Sequence, residues 1–423
     1  MTTAEQSTSP QTNTQTQKLT WRAFGPGILM ASAAIGGSHL VSSTQAGALY
    51  GWQLAIMIVL ANFFKYPFYR FGTEYAYKTG DSLVVGYAKK SKAYLWAFFG
   101  LSVVSGVITT GAVALLCATI LGFILPFELN PLVLSIIVMT VSWGLLIAGH
   151  YKVLDNISKW IILALTVATI AAVIIAGMSP KEVTSDFVPM SPWNLASLGF
   201  IIALMGWMPA PLEFSVITSV WTSKKIRTDR TSHFQGVVDF NVGYFTSAIL
   251  ALFFLTLGVF VQYGTGEEIA TKGGAYIGQL VHMYTETIGN WSKILVAFIA
   301  FLCMFGTVIT SADGYGRTNA ESLSLVKTGT TELTEKYVMR WTTTMVIGGF
   351  ILINVFAGQM ASLLKFAMIS SFVSAPIFAY LNYSLAKSEN LLTPKMNIYA
   401  LLGIAFLAGF AGLFLLQFFG IIG

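Results

Sequence analysis

The feature that most constrains this sequence is a succession of long apolar segments that recurs from residue 24 to near the end of the chain. A helix needs about 20 residues to cross the hydrocarbon core of a bilayer. Eleven segments reach about that length, and we interpret each as one transmembrane span. They lie at roughly 24–48, 52–72, 94–124, 130–149, 154–178, 195–222, 237–262, 292–315, 338–358, 361–384 and 397–421. The sequence therefore predicts an all-α integral membrane protein.

The composition agrees with a surface that faces lipid. Charged residues make up 10% of the chain, whereas a soluble domain carries about 25%. The net charge of +6 is typical of basic cytoplasmic loops and does not indicate a nucleic-acid partner. Cys117 and Cys303 both fall within apolar runs, so we expect small buried side chains rather than a disulfide or a metal site. No cofactor is expected.

The placement of lysine and arginine predicts the orientation. With the N-terminus in the cytoplasm, most basic residues fall on the cytoplasmic side, and Lys65 is placed near them at the end of span two. Lys181, Lys272 and Lys293 fall outside, and so does a long loop at 263–291. Residues 1–20 are polar and predict a disordered cytoplasmic tail, and residues 21–423 predict a single transmembrane transport domain.

Two of the spans are poor helices at their centres. Span one contains Gly36-Gly37-Ser38-His39, and span six contains Pro209 and Pro211. Proline removes a backbone donor, and unpaired backbone groups survive at membrane depth only inside protein or beside a wet cavity. Broken helices five spans apart are typical of two inverted five-helix repeats that hold substrate between them. The alternative is a pair of ordinary kinks.

On this interpretation the chain divides into two repeats and an added helix. The first repeat covers about 24–178, the second covers about 195–384, and the extra helix covers about 397–421.

Four stretches of the sequence resemble the Nramp family of divalent metal transporters. GPGILMASAAIGGSHLVSSTQAGALYGW resembles the family's first helix, and MPAPLEFS resembles its sixth. TSADGYGRTNAESL is similar to its eighth helix and GQMASLLKFAMISS, more loosely, to its tenth. The resemblance implies a LeuT-like fold and secondary transport. With no organelle signal in the sequence, it also implies a multi-pass protein of the bacterial inner (plasma) membrane.

The chain departs from the family where the family binds metal. The family's first helix carries Asp-Pro-Gly-Asn, which supplies a carboxylate and an amide oxygen, but Gly36 to His39 occupy those positions here. In the sixth helix Met208 matches the family's methionine, whereas the family's two histidines fall on Ala210 and Ser215. Span three carries no carboxylate, although the family has acidic residues of a proton path there.

The residues at the two breaks predict the cargo. A dehydrated divalent cation needs formal negative charge or many oxygen ligands, whereas these breaks offer an indole, small side chains, hydroxyls and free backbone groups. Such a pocket suits a small polar nitrogenous solute, such as a urea- or amide-like molecule. We therefore predict a secondary importer of such a solute and not an enzyme; the alternative is a Mn²⁺, Mg²⁺ or Fe²⁺ transporter with an altered ligand set. The predicted substrate site comprises Gly36, Gly37, Ser38, His39, Trp207, Met208, Ala210 and Glu213.

Three ionisable residues within the spans are candidates for coupling transport to protons. Such groups are costly in a membrane and usually functional. Glu213 is the only acid of span six, and its alternative role is an ion pair with a neighbouring span. Asp313 either binds a coupling ion near the first break or pairs with Arg317 one turn later. His39 either binds substrate or shuttles a proton, or it is a neutral, buried, hydrogen-bonded imidazole. Asp239, where span seven opens, is interpreted as a gate or helix-start residue.

Overall fold

The computed structural model describes residues 24–149, 151–178, 181–270, 273–356 and 358–422, and over these residues the chain is helical without strands. The predicted tail at 1–20 lies outside them. The helices in chain order are α1 (Pro26–Ala34), α2 (Thr44–Tyr50), α3 (Ala55–Thr79), α4 (Leu83–Lys90), α5 (Lys92–Ile124), α6 (Pro131–Ile147), α7 (Tyr151–Met178), α8 (Leu195–Gly206), α9 (Phe214–Asp229), α10 (His233–Val261), α11 (Gly273–Ile288), α12 (Ser292–Thr328), α13 (Thr334–Val355), α14 (Met360–Ser388) and α15 (Pro394–Phe418).

Each of the eleven predicted spans coincides with one helix or with one broken pair of helices. Among the described residues, seven helical runs are long and apolar enough to cross a membrane, and three shorter apolar helices accompany them. The two halves of span six, α8 and α9, are each too short to cross a bilayer alone. The prediction of an all-α membrane fold with broken first and sixth spans is confirmed.

Two predicted boundaries and one predicted loop were wrong. Helices α3 and α12 continue well past residues 72 and 315, because their polar ends are buried by neighbouring helices rather than exposed to water. The predicted loop at 263–291 contains α11. Its Tyr276, Leu280 and Tyr284 recur every four residues and form one buried face. The opposite face is polar, so the segment as a whole does not have the continuous apolar pattern of a membrane span.

Several helices begin at a side-chain cap that the sequence supplies. The cap side chain accepts a hydrogen bond from a backbone N–H in the first turn, which would otherwise lack a partner. Ser232 before α10 forms a full capping box with Gln235. The other capping residues are Ser82, Ser91, Asn130, Asn194 and Thr393. These caps fix where the helices start on leaving the loops.

Glycines bring the second half of span one directly against α10. A Cβ added at Gly258 would lie 2.2 Å from the carbonyl oxygen of Thr44, and one added at Gly47 would lie 2.0 Å from that of Leu255. Small residues allow such backbone contact between membrane helices. The packing fixes α2 on α10 and therefore fixes the position of the first break.

Gly258→Ala is expected to destabilise the protein by about 1–3 kcal/mol, because the helices must separate to admit a methyl group. The unfolding midpoint of the purified protein in detergent measures the effect. Gly100→Ala is the matched control, since a Cβ there meets nothing within 4 Å. Equal midpoints for the two variants would contradict the close contact.

One end of the molecule collects basic side chains, and we call it the basic face. Arg227 at the end of α9 contacts Asp81 at 3.2 Å, and Lys89 of α4 contacts the same aspartate at 2.7 Å. Lys224 lies 3.8 Å from Glu335 at the start of α13. At the other end of the molecule, Lys181 contacts Glu286 of α11 at 2.6 Å.

Candidate functional site

The first break separates α1 from a π-helical turn, Ser38–Ser43, that leads into α2. Helix α1 ends at Ala34, and α12 supplies partners for its last carbonyls. The Cys303 thiol donates to Ile35 O at 2.8 Å, and the Thr307 hydroxyl donates to Ser32 O at 3.3 Å. Cys303 and Thr307 lie one turn apart on α12, so this face of α12 lines the break. The two glycines, 36 and 37, leave room for that approach.

The second break separates α8 from α9 and is held by α3. The Lys65 ammonium donates to Met205 O at 2.7 Å and to Gly206 O at 2.8 Å. One turn further, the Tyr69 hydroxyl contacts Ala210 O at 2.9 Å and Pro211 O at 2.6 Å. These side chains replace the helical hydrogen bonds that the prolines prevent.

Lys65 is not where the sequence placed it. It lies in the middle of α3 and is fully buried, rather than near the cytoplasmic loops at the end of span two. The prediction was wrong because it ended span two too early. The available signal was a single lysine inside an apolar run.

A small cavity lies between the two breaks. Its volume is about 10 Å³, which is room for about one water molecule. It is lined by Ala33, Ala34, Gly37, Thr109, Val113, Trp207, Ala210, Pro211, Phe214, Thr307 and Ser311. The third spans of the two predicted repeats, α5 and α12, thus contribute its hydroxyl groups, and the two breaks contribute small residues and the Trp207 indole.

One hydroxyl in this wall is without a hydrogen-bond partner among the described residues. Ser311 Oγ is fully buried and neither donates nor accepts a hydrogen bond within the described residues. Thr307, one turn earlier, bonds to backbone carbonyls of its own helix and of α1. The indole Nε1–H of Trp207 donates to Ser371 Oγ at 2.9 Å, which fixes the ring against the cavity. Ser311 is therefore the free hydrogen-bonding group of the wall.

The structure brings three of the predicted substrate residues into the cavity wall: Gly37, Trp207 and Ala210. Gly36 lies beside it, facing Thr307, whose Oγ1 would be 3.2 Å from an added Cβ. Met208 is fully buried in the apolar core rather than in the wall.

Ser38 and His39 do not line the cavity, because the π turn directs them elsewhere. The Ser38 hydroxyl lies 2.9 Å from His39 Nδ1 and bonds to Ala34 O. His39 Nε2 lies 2.9 Å from Ser247 O on α10. This geometry matches the alternative of a buried, hydrogen-bonded imidazole, and roles in binding or coupling for these two residues stay predictions.

Glu213 lies just behind the cavity, at the start of α9. It is fully buried, and the Tyr315 hydroxyl donates to its Oε1 at 2.9 Å. The same hydroxyl lies 3.5 Å from Thr109 Oγ1, which is in the cavity wall. Glu213 Oε2 accepts no hydrogen bond from the described residues. A carboxylate is thus connected to the cavity through one phenol, without being part of its wall.

Asp313 is engaged in an ion pair away from the first break. Arg317 Nε lies 2.9 Å from Oδ1 and 2.8 Å from Oδ2 of Asp313. The α12 residue that meets the break is Thr307, six residues earlier, which is about 9 Å along a helix. The alternative pairing with Arg317 is thus present, and a coupling role for Asp313 stays a prediction.

The sequence missed several groups of this site. Lys65 and Tyr69 hold the second break. Thr109 and Tyr315 connect the cavity to Glu213, and Ser311 is the free hydroxyl of the wall. Hydroxyl residues are common in membrane helices, where they often bond to their own backbone, so no signal distinguished these three. Within the described residues no group of three or more His, Cys, Asp or Glu side chains is arranged to hold a metal ion.

Comparison with solved structures shows the fold. A manganese transporter of Eremococcus coleocola aligns with 95% of this chain and 87% of its own, with a TM-score of 0.66 and 16% identity. Mhp1 is a nucleobase-cation-symport-1 family transporter solved in a closed conformation with bromovinylhydantoin bound. It aligns with 95% of this chain and 94% of its own, with a TM-score of 0.58 and 15% identity. MhsT, solved in complex with L-phenylalanine, aligns with 91% of this chain and 98% of its own, with a TM-score of 0.57 and 13% identity. The LeuT-like fold is thereby confirmed.

Comparison of sequences shows the family. An uncharacterized protein of Pasteurella multocida, PM0681, is 52% identical over 415 residues, which is 95% of each chain. The model of the natural resistance-associated macrophage protein-like (Nramp) family matches residues 27–421. The chain, with its two broken helices around a small cavity, therefore belongs to the Nramp family of secondary transporters.

Proposed function

We propose that this transporter imports a small, polar, nitrogen-containing organic solute of the urea or amide class, driven by protons. The observation that carries the proposal is the cavity wall between the breaks, where Ser311 offers a free hydroxyl beside the Trp207 ring. A flat amide has donors, acceptors and a π-face, so a hydroxyl, backbone groups and an indole are suitable partners.

The charge distribution supports the proposed orientation in the membrane. The basic face is proposed to lie in the cytoplasm, because basic loops are retained on that side of the membrane. The opposite end, with α11, then faces the outside. An inner (plasma) membrane location and a cytoplasmic N-terminus complete this proposal.

The shape of the cavity supports a small cargo. A volume of about 10 Å³ must expand before any solute enters, and Trp207 and Phe214 are the two large side chains of the wall. A small planar molecule requires the least displacement. The hydantoin bound in the Mhp1 structure contains a urea unit, so a transporter of the same fold binds a molecule of this class.

A divalent cation is the second candidate, and the manganese transporter named among the similar structures favours it. A hard cation needs formal negative charge from its ligands. The wall around Gly37 and Ala210 supplies hydroxyl, indole and aliphatic groups, and the Glu213 carboxylate lies behind the wall rather than in it. The donor chemistry of the wall therefore fits a neutral organic solute better.

Uptake by purified protein in liposomes tests the proposal. Radiolabelled urea, methylurea and hydantoin are offered with an acidic exterior, and Mn²⁺ flux is measured in parallel. We expect saturable uptake of at least one of the organic solutes, with no inhibition by Mn²⁺. Saturable Mn²⁺ flux without organic uptake would support the metal alternative and overturn the proposal.

Ser311→Ala is expected to raise the KM for the transported solute about fivefold, because one neutral hydrogen bond contributes about 1 kcal/mol. Initial uptake rates over a range of solute concentrations measure it. Thr256→Val is the matched control, since that hydroxyl bonds only to its own helix at Leu252 O, 2.8 Å away. An unchanged KM for Ser311→Ala would remove this residue from the site.

A further inference from the structure

Lys65 is a buried cation whose hydrogen-bond partners are all backbone carbonyls, with the Phe372 ring 6.0 Å from its ammonium. Besides Met205 O and Gly206 O, its ammonium lies 3.4 Å from Ala210 O. An ammonium has three donors, and three carbonyls accept them: two at the end of α8 and one within the second break. We call these three oxygens the carbonyl cluster. Within the described residues no acidic side chain lies within 4.0 Å of the Lys65 ammonium to form an ion pair.

The carbonyl cluster has the properties of a site for a monovalent cation. The last carbonyls of a helix lack intrahelical partners, and the dipole makes the C-terminal end of α8 negative. In transporters with broken helices, such half-helix ends and unwound carbonyls coordinate alkali ions. Here an ammonium on α3 is in that position, bonded at 2.7 and 2.8 Å to the end of α8.

The cluster also determines the shape of the substrate cavity. Trp207 directly follows Gly206, and Ala210 supplies both a bonded carbonyl and part of the cavity wall. A Cβ added at Gly206 would lie 1.9 Å from Met368 O, so this end of α8 is also pressed against α14. A shift of the cluster therefore moves two wall residues together.

We propose that Lys65 is a tethered cation that takes the place of a coordinated monovalent ion at the second break. It acts as a positioning residue, holding Trp207 and Ala210 where the cavity needs them. The break consequently keeps its structure without a dissociable alkali ion. The inference concerns how the site is built and holds whichever solute is carried.

Chemical rescue tests this role. Lys65→Ala is purified in detergent, and its unfolding midpoint is measured in equal concentrations of choline, sodium, potassium and methylammonium chloride. In choline we expect a midpoint about 5–10 °C below wild type, since buried carbonyls lose a charged partner. Methylammonium, which restores an ammonium to the vacated space, is expected to recover about half of the loss. Lys365→Ala, which removes an exposed lysine of α14, is the control and should respond to no cation.

A packing role for the lysine stem alone would give a different pattern. The proposal is overturned if methylammonium, sodium and potassium stabilise Lys65→Ala no more than choline does. It is equally overturned if methylammonium stabilises wild type or Lys365→Ala to the same extent.

A second variant keeps the test decisive if Lys65→Ala does not fold. Lys65→Gln retains two neutral donors and fills most of the space. We expect its midpoint to lie below wild type and to respond little to any cation, because its amide occupies the site. A midpoint equal to wild type in choline would show that no charge is needed there, and would overturn the proposal.

Discussion

Glu213→Gln is expected to abolish proton-driven accumulation of solute while leaving solute binding intact. Glutamine keeps the volume of the side chain, and its amide oxygen can still accept the hydrogen bond from the Tyr315 hydroxyl. In the wild-type protein that hydroxyl lies 2.9 Å from Glu213 Oε1. It cannot bind and release a proton at neutral pH. Since Glu213 is the acid that Tyr315 connects to the cavity wall, its loss should uncouple the proton gradient from the solute.

Two measurements on liposomes separate coupling from binding. With an acidic exterior, the variant should equilibrate solute to an inside-to-outside ratio of about one, because no coupled proton drives it further. Solute counterflow, which needs binding and exchange but no gradient, should persist. Glu286→Gln is the matched control, since this exposed acid pairs with Lys181 at 2.6 Å and lies on α11, away from the cavity.

The outcomes for Glu213 distinguish its possible roles. Gradient-driven accumulation that survives in Glu213→Gln would exclude it as the proton carrier. Loss of both accumulation and counterflow would assign it to the fold or to binding. Tyr315→Phe, which removes the phenolic donor but leaves the carboxylate, should weaken coupling less than Glu213→Gln does.

The fold could be predicted from sequence because bilayer thickness sets helix length. A run such as 397–421 has one stable arrangement in lipid, and α15 occupies Pro394–Phe418. The breaks were predictable for a related reason, since paired glycines and nearby prolines cannot continue a helix without outside partners. The fold therefore follows from rules that act on single segments.

The site was predicted less well because it depends on which way each side chain points. His39 follows Gly37 by two residues, yet a π turn directs it to Ser247 on α10. Lys65 was misplaced because its position depends on how far α3 extends, and that extension is set by the helices packed around it. The partner of Asp313 was the exception, since a four-residue spacing to Arg317 is a local rule.

Asp239→Ala is expected to release α1 from α10 and open a path from the basic face to the cavity. Asp239 Oδ1 accepts the Gly25 N–H at 3.0 Å, and Oδ2 accepts the Gly27 N–H at 2.8 Å. The carboxylate thus caps the N-terminus of α1, where the helix dipole adds to its attraction. A Cβ added at Gly243 would lie 2.0 Å from Gly27 O, so the two backbones are in contact at this point.

The size of the effect follows from two hydrogen bonds to a charged acceptor, each contributing about 1.5–3 kcal/mol. Loss of at least about 3 kcal/mol changes a two-state population by about 100-fold. Cys303 reports the change, because its thiol is buried and donates to Ile35 O beside the first break. In a Cys117→Ala background, maleimide should label Cys303 up to about 100-fold faster when Asp239 is replaced by alanine.

The side of the membrane from which the maleimide reacts shows whether Asp239 acts as a gate on the basic face. A maleimide that cannot cross the membrane should react from the side of the basic face, because α1 begins there beside Asp239. Asp229→Ala, which removes an exposed acid at the end of α9 on the same face, is the control and should leave the labelling rate unchanged. Faster labelling from the opposite face, or equal rates in the two variants, would mean that the Asp239 carboxylate does not hold α1 closed.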